Sequence, residues 1–424
     1  MRTETGAAVL LVLAIGVALL WANAPGGGGY EALWTTTVLA RVGALEVATD
    51  LRGCVNEGLM TLFFLVVGLE AKRELDLGQL RDRRGLTVPV VAGLTGIGAS
   101  TAIYLIVTAG RSGADGWGIA VSTDTALSLA ALTLLVGAQA PRLRVFLLTV
   151  LVVDDVVALV VLTVVYPGPL DAVAVAVAVV LLALLLALRA YGRRRQAEVD
   201  GGVALYAVSI LVGVGLWLAL FWSGIDPVVS GLVIGLLTSA HTPQRPRVER
   251  GMQLAHSFGE EPTPSLAYTA SARLTGAISP NDRLQYRLHP WTSLVIVPIF
   301  ALANAGIALD TSSLAGALRS PIAWGVVLAF VVGKPAGILA AAWLTARGAP
   351  RTGRLTVSWR ELRGTASASG IGFTVSLLIA ARAFDGAALD QAKIGILATA
   401  VLSPAVAAVG LGGKNARDGL TNTA

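Results

Sequence analysis

Twelve apolar segments, most long enough to span a hydrocarbon core, leave this chain little choice but a bundle of helices in lipid. They run Ala7–Trp21, Gly53–Leu69, Leu86–Thr108, Gly118–Val136, Val145–Tyr166, Leu170–Leu188, Val203–Phe221, Pro227–Ala240, Trp291–Leu309, Ile322–Ala346, Gly364–Ala381 and Ala392–Leu411. A backbone in lipid has no water to bond, so each segment must satisfy its own N–H and C=O groups, which a helix does. Hydrophobic residues make up 55% of the chain and charged residues 14%, and no polar stretch is long enough to bury a soluble core. The expected fold is an all-α polytopic membrane protein of about twelve transmembrane helices.

Charge fixes the expected orientation. With the amino terminus inside, the inner connections hold 25 of the 32 basic residues and the outer ones five: Arg41, Arg52, Arg111, Arg319 and Arg382. Cytoplasmic connections carry such an excess of Lys and Arg, so both termini are expected in the cytoplasm. The first segment also fits a cleaved secretory signal, and charge does not separate the two readings. The net charge of +6 does not imply nucleic acid, because the basic residues are spread over connections and not gathered on one face. The single cysteine, Cys54, excludes an internal disulfide, and His241, His256 and His289 are too scattered for zinc.

The remaining polar stretches are connections. After Pro25 and the glycines at 26–29, the segment Arg41-Val-Gly-Ala-Leu-Glu-Val-Ala alternates as a hairpin strand does, which places a small external hairpin at about residues 40–50. His241 to Leu288 holds five prolines and reads as an irregular cytoplasmic loop, and 413–424 as a short cytoplasmic tail, so that 1–412 form one membrane domain.

Within this apolar frame the charged residues stand out. Asp154 and Asp155 occupy the middle of the 22-residue stretch Val145–Tyr166, whose other short polar side chains are Thr149 and Thr163. One ionised side chain at the bilayer centre costs about 2.5–3.5 kcal/mol on insertion scales, so two adjacent carboxylates there imply an ion or proton pathway. Lys334, in Val331-Val-Gly-Lys-Pro-Ala-Gly-Ile, is too deep in its segment to snorkel and is the natural counter-charge. Adjacent helix positions point about 100° apart, so one aspartate can meet Lys334 while the other lines a water-filled funnel. Ser122-Thr123-Asp124-Thr125 interrupts the fourth segment, and Gly364-Thr-Ala-Ser-Ala-Ser-Gly-Ile-Gly-Phe-Thr-Val-Ser the eleventh. Such residues compete for backbone hydrogen bonds, and interrupted spans in corresponding positions of two halves point to a transporter binding site. Glu57 and Asp226, near outer ends of segments, read as solvated. Glu70, Lys72, Arg73 and Glu74 form an interfacial cluster at an inner end, with ion capture or pH sensing as the sharper reading.

Several motifs in order carry a family resemblance: Phe63-Phe-Leu-Val-Val-Gly-Leu-Glu-Ala-Lys-Arg-Glu74, Thr123-Asp124, Asp154-Asp155, Leu288-His-Pro-Trp291, Phe300-Ala-Leu-Ala-Asn-Ala-Gly306, Gly333-Lys-Pro-Ala-Gly337 and Gly370-Ile-Gly-Phe-Thr374. Over nearly the whole chain it closely resembles the NhaA sodium/proton antiporters. The resemblance implies inverted repeats, a fourth and an eleventh helix that are discontinuous and cross, and a retained first helix. It also implies a homodimer in the bacterial plasma membrane, joined partly through the external hairpin. Asp155 would be the main Na+ and proton carboxylate, Asp154 its partner, and Thr123 a further Na+ ligand. Asp124 would compensate facing helix ends, and Lys334 would balance charge by pairing with Asp154 when no ion is bound. Glu70, Arg73 and Glu74 would belong to the pH-responsive inner mouth. The chain departs from the family at Gln285, Tyr286, Asp226 and Glu57, and in a longer loop before Gln285.

The expected activity is therefore secondary transport, not enzymatic catalysis. Cytoplasmic Na+ or Li+ would be exchanged for external protons, electrogenic with more protons than sodium ions per cycle, pH-regulated, and free of any cofactor. An intramembrane aspartyl protease would want a Gly-x-Gly-Asp setting that neither Asp124 nor Asp155 has, and it leaves Lys334 without a task. A sodium-coupled solute symporter would need a sizeable organic-substrate pocket.

Overall fold

The computed structural model describes residues 2–25, 28–42, 45–77, 83–111, 113–136, 141–195, 202–241, 245–348 and 359–411; the tail at 413–424 lies outside them. Helices dominate the described residues. Six are long and apolar enough to cross a membrane: Leu51–Asp76, Val88–Thr108, Arg142–Val165, Ala172–Gly192, Pro321–Thr345 and Gly386–Val409. A seventh span results if Ala114–Ala120 and Thr125–Leu134, bent by 51° at a short break, count as one. Gly6–Ala22, Ala207–Ser223, Val228–Leu237 and Thr374–Ala383 are shorter apolar helices.

Burial separates the helices by task. Of the most apolar window in Ala172–Gly192 only 11% is buried, and Val173, Val179 and Val180 face outward. In Arg142–Val165 and in Pro321–Thr345 the buried share is 61%. These are the two helices that carry Asp154, Asp155 and Lys334. Charges in an apolar medium must be enclosed by protein, and here the most enclosed helices hold them.

Glycine contacts set how closely these helices approach. Gly231 and Gly235, four residues apart on Val228–Leu237, lie against the helix Leu51–Asp76. A methyl group on Gly231 would collide with the Thr61 carbonyl, and one on Gly235 would sit 2.5 Å from the Leu65 carbonyl. Gly333 and Gly337 repeat the spacing on the lysine-bearing helix: a methyl group would meet Ser100 Cα at 2.8 Å and collide with the Thr95 carbonyl. Small residues four apart let backbones touch in lipid, where apolar side chains gain nothing by leaving the tails. A π-helical turn, Ala329–Gly333, immediately precedes Lys334, and Pro335 has no N–H to return to the preceding turn.

Two connections differ from the sequence expectation. Strands Thr37–Val42 and Leu45–Asp50 pair antiparallel with Thr37 opposite Asp50, so the hairpin is wider than 40–50, and Asp50 then caps the next helix through Gly53 N at 2.6 Å. The segment 245–288 is not irregular: it folds as Arg245–Glu260, Pro264–Gly276 and the start of Pro280–Trp291. Two of its prolines mark starts. Pro264 and Pro280 occupy the first helical position behind the caps Thr263 and Ser279, where a missing N–H costs nothing.

Candidate functional site

The polar centre is assembled from the acidic helix Pro141–Val165, the lysine-bearing helix and two chain breaks. Asp154, Asp155, Thr123, Asp124 and Lys334 are all buried there. The two adjacent aspartates face different partners, as their helical offset requires. Lys334 Nζ lies 2.8 Å from Asp154 Oδ2 and donates to the Val121 carbonyl at 2.7 Å. The Phe330 ring centroid stands 5.7 Å from the same ammonium. Thr123 Oγ1 is 2.9 Å from Asp154 Oδ2 and 2.8 Å from the Ser369 carbonyl. Asp154 Oδ1 is buried without a hydrogen-bond partner among the described residues. Asp155 faces elsewhere: Thr125 Oγ1 donates to its Oδ2 at 3.2 Å.

The breaks supply the rest. Residues 121–124 are unwound between the 3-10 helix Ala114–Ala120 and the α-helix Thr125–Val136. Residues 369–373 are unwound between Trp359–Ala368 and Thr374–Ala383. Each break answers the other. Asp124 N donates to the Ile371 carbonyl at 2.7 Å, Ser376 Oγ to the Ile119 carbonyl at 3.1 Å, and Thr399 and Ser403 reach the Gly372 and Gly370 carbonyls. Unwound backbone at this depth is tolerated only where protein meets its polar groups. Asp124 sits where both later half-helices begin: its Oδ1 accepts from Leu127 N at 2.9 Å and its Oδ2 from Thr374 N at 3.4 Å. One carboxylate thus caps two helix amino termini, whose partial positive charges favour it.

Chemically, the centre holds one carboxylate neutralised by an ammonium, one shared between helix ends, and one, Asp155, beside a neutral hydroxyl. An oxyanion in that last position can be satisfied by a proton or by a hard cation that takes oxygen ligands.

The residues expected at the inner mouth form a separate group. Arg73 lies 3.4 Å from Asp282 and 3.4 Å from Gln285 Oε1, and these line an open cleft with Tyr286 and His289. Lys72 pairs with Asp76 at 2.8 Å. Glu70 and Glu74 are half-buried on the same helix.

Asp226 is not solvated and Glu57 only partly so, whereas the sequence expectation had both in water. Arg382, at the end of Thr374–Ala383, reaches Glu57 at 2.9 Å and Asp226 at 3.1 Å, and the Asp226 side chain is only 3% exposed. The guanidinium meets both acids, which lets Asp226 leave water and Glu57 leave most of it. Sequence reasoning counted Arg382 as an ordinary outer basic residue, and its partners lie 325 and 156 positions away. It also passed over Thr125, for which the one available signal was its place beside Asp124 at the break.

A model of the family described as Na+/H+ antiporter 1 matches residues 1–411. A Na(+)/H(+) antiporter NhaA 1 from Salinispora arenicola (strain CNS-205) is 48% identical over 401 residues, covering 95% of this chain and 60% of that protein. The corresponding figures for NhaA 1 of Mycolicibacterium gilvum (strain PYR-GCK) are 41% over 402 residues, 95% and 64%. NhaA 3 of Frankia alni (strain DSM 45986 / CECT 9034 / ACN14a) is 39% identical over 407 residues, 95% of this chain and 85% of that protein. The chain therefore spans 60% of the length of its Salinispora relative.

Proposed function

The chain belongs to the Na+/H+ antiporter 1 family, and we propose that it exchanges cytoplasmic Na+ or Li+ for external protons across a bacterial plasma membrane. One observation carries this reading. Of two adjacent buried carboxylates, Asp154 has a full counter-charge in Lys334, whereas Asp155 meets the neutral Thr125 hydroxyl. A buried carboxylate beside a neutral partner calls for a positive charge from outside, and a proton or an alkali ion supplies it in turn. Loading one releases the other, which is exchange.

In this reading the chain crosses the bilayer twelve times, with the broken fourth and eleventh crossings meeting at Asp124. The first crossing starts and the last ends on the cytoplasmic side. Rocking of one helix group against another exposes Asp155 to each side alternately. Lys334 holds Asp154 while the site is empty of cation and yields when an ion or proton arrives. If two protons replace one Na+, one net charge crosses per cycle, and the membrane potential contributes about 2.3 kcal/mol per 100 mV. The Arg73 cleft, with Glu70 and Glu74 on its helix, is where cytoplasmic acidity would act on the rate. A homodimer joined partly through the hairpin Thr37–Asp50 completes the proposal.

The test is Na+-dependent collapse of a proton gradient in everted vesicles. Asp155→Asn abolishes it at wild-type expression; near-normal exchange by that variant overturns the assignment.

A further inference from the structure

Arg382 joins two groups of helices that are each fastened by other contacts. Its Nη2 donates to Glu57 Oε1 at 2.9 Å and to Asp226 Oδ2 at 3.1 Å, so the two N–H bonds of one nitrogen serve two acids. Those acids stand near the starts of Leu51–Asp76 and Val228–Leu237, whose backbones touch at Gly231 and Gly235. Arg382 comes from elsewhere. It lies at the end of Thr374–Ala383, after the chain break whose Gly370 and Gly372 carbonyls are held by Ser403 and Thr399 of Gly386–Leu411. Glu57 and Arg73 are sixteen positions apart on one helix, about 24 Å of rise, so the Arg382 contact and the open Arg73 cleft lie at opposite ends of it. The polar centre lies between: Thr374 N meets Asp124, and eight residues, about 12 Å of rise, lead from Thr374 to Arg382.

We infer that Arg382, Glu57 and Asp226 form a latch that shuts the polar centre from the outside while the Arg73 cleft stands open, and that the latch releases each time the centre turns outward. This rests on the exchange and orientation proposed above. The contact is suited to opening and reclosing. The Arg382 side chain is 34% exposed, so water receives the guanidinium on release, and parting costs less than it would for the wholly buried Lys334–Asp154 pair. Glu57 sits in the π-helical turn Cys54–Leu59, a local irregularity of the kind that marks places where a helix shifts. Asp226 supplies the fixed side: its Oδ1 accepts from Val228 N at 3.2 Å, which leaves Oδ2 for the guanidinium. One turn nearer the centre and on the same helix face as Arg382, Leu378 is buried, so the closed latch is backed by packed apolar side chains.

The experiment reads access from outside. In a Cys54→Ser background, Leu378→Cys in right-side-out vesicles is treated with a charged, membrane-impermeant maleimide. Labelling should be slow with Arg382 intact and at least about fivefold faster in Arg382→Gln, since the unlatched protein spends more time open to that side. In everted vesicles, Arg382→Gln without the reporter should show a KM for Na+ about threefold higher, as expected if the fraction facing the cytoplasm falls from nearly all to about a third. Unchanged labelling with an unchanged KM overturns the inference. So does an equal rise in labelling at Ala366→Cys, a buried position beyond the polar centre on the first half of the same broken segment, because that reports general loosening. Should Arg382→Gln fail to reach the membrane folded, Glu57→Gln, which removes the wetter half of the latch, carries the same comparison. The labelling needs no transport, which keeps the two claims apart. A wild-type chain without Na+-dependent proton flux defeats the functional reading, whereas an active chain whose Leu378→Cys labelling ignores Arg382→Gln defeats the latch alone.

Discussion

Lys334 and Asp154 form an ion pair at 2.8 Å in which both side chains are wholly buried. Removing one partner from such a pair leaves a bare charge where little can solvate it, at a cost of about 3–5 kcal/mol, whereas replacing both by neutral groups is often close to neutral. Lys334→Gln alone should therefore lower the thermal unfolding midpoint in detergent strongly, and Lys334→Gln with Asp154→Asn should recover most of it. Equal losses in the single and the double variant would show that the pair is not what stabilises this centre.

Asp124 offers a different substitution series. Because its two oxygens accept from Leu127 N and Thr374 N, Asp124→Ala removes a cap from two half-helices and should cost about 1–3 kcal/mol, taking each cap at its typical ~1. Asparagine keeps one acceptor oxygen but sets an NH2 donor against the other backbone N–H, so Asp124→Asn retains one of the two caps and should fall between wild type and alanine. Thermal unfolding of the pair ranks them; an alanine variant as stable as the asparagine variant contradicts the shared cap.

Away from the polar centre, Arg382 serves two acids of unequal burial, Asp226 at 3% exposure and Glu57 at 21%. Double-mutant cycles with neutral substitutions should give a larger coupling for Arg382–Asp226, about 1–3 kcal/mol, than for Arg382–Glu57, because a wetter pair is better screened. The reverse order would mean that burial is not what decides the strength of these contacts.

Backbone contact through glycine predicts a position-specific penalty. Gly337→Ala drives a methyl group into the Thr95 carbonyl, which belongs to backbone and cannot swing aside. Overpacking of this kind costs about 1–3 kcal/mol, and the shift should carry Lys334 with it, lowering exchange as well as stability. Gly98→Ala, with open space around its Cβ on the neighbouring helix, should instead gain up to about 1 kcal/mol from helix propensity. Parallel stability and transport assays of the two decide the matter.

What the sequence showed of this architecture follows from how far each signal reaches along the chain. Asp154 and Asp155 are conspicuous because their apolar neighbours make them so, and Ser122-Thr123-Asp124-Thr125 marks the break because its residues favour caps over helix interiors. The helical offset between adjacent positions separates the two aspartates, which is why a Lys334 partner for one of them was legible. Contacts between distant segments were not. Glu57 and Asp226 looked solvated because nothing near them in sequence announces Arg382. The prolines of 245–288 looked like breakers because proline alone does not tell a helix interior from a helix start; the capping Thr263 and Ser279 did carry that information. That Thr123 reaches Asp154 and Thr125 reaches Asp155 is a matter of ångströms that spacing does not encode.

The exchange of hydrogen bonds between the two chain breaks has a consequence for biogenesis. Thr123 bonds the carbonyl of a residue 246 positions later, and Asp124 a backbone N–H 250 positions later. While the ribosome is still making the intervening chain, those partners do not exist, and the first break must wait with unmet polar groups. The early helices therefore enter the bilayer as a provisional assembly, and the centre closes only when translation delivers the eleventh segment. A nascent chain stalled before Ser369 should be the form that membrane proteases recognise and degrade.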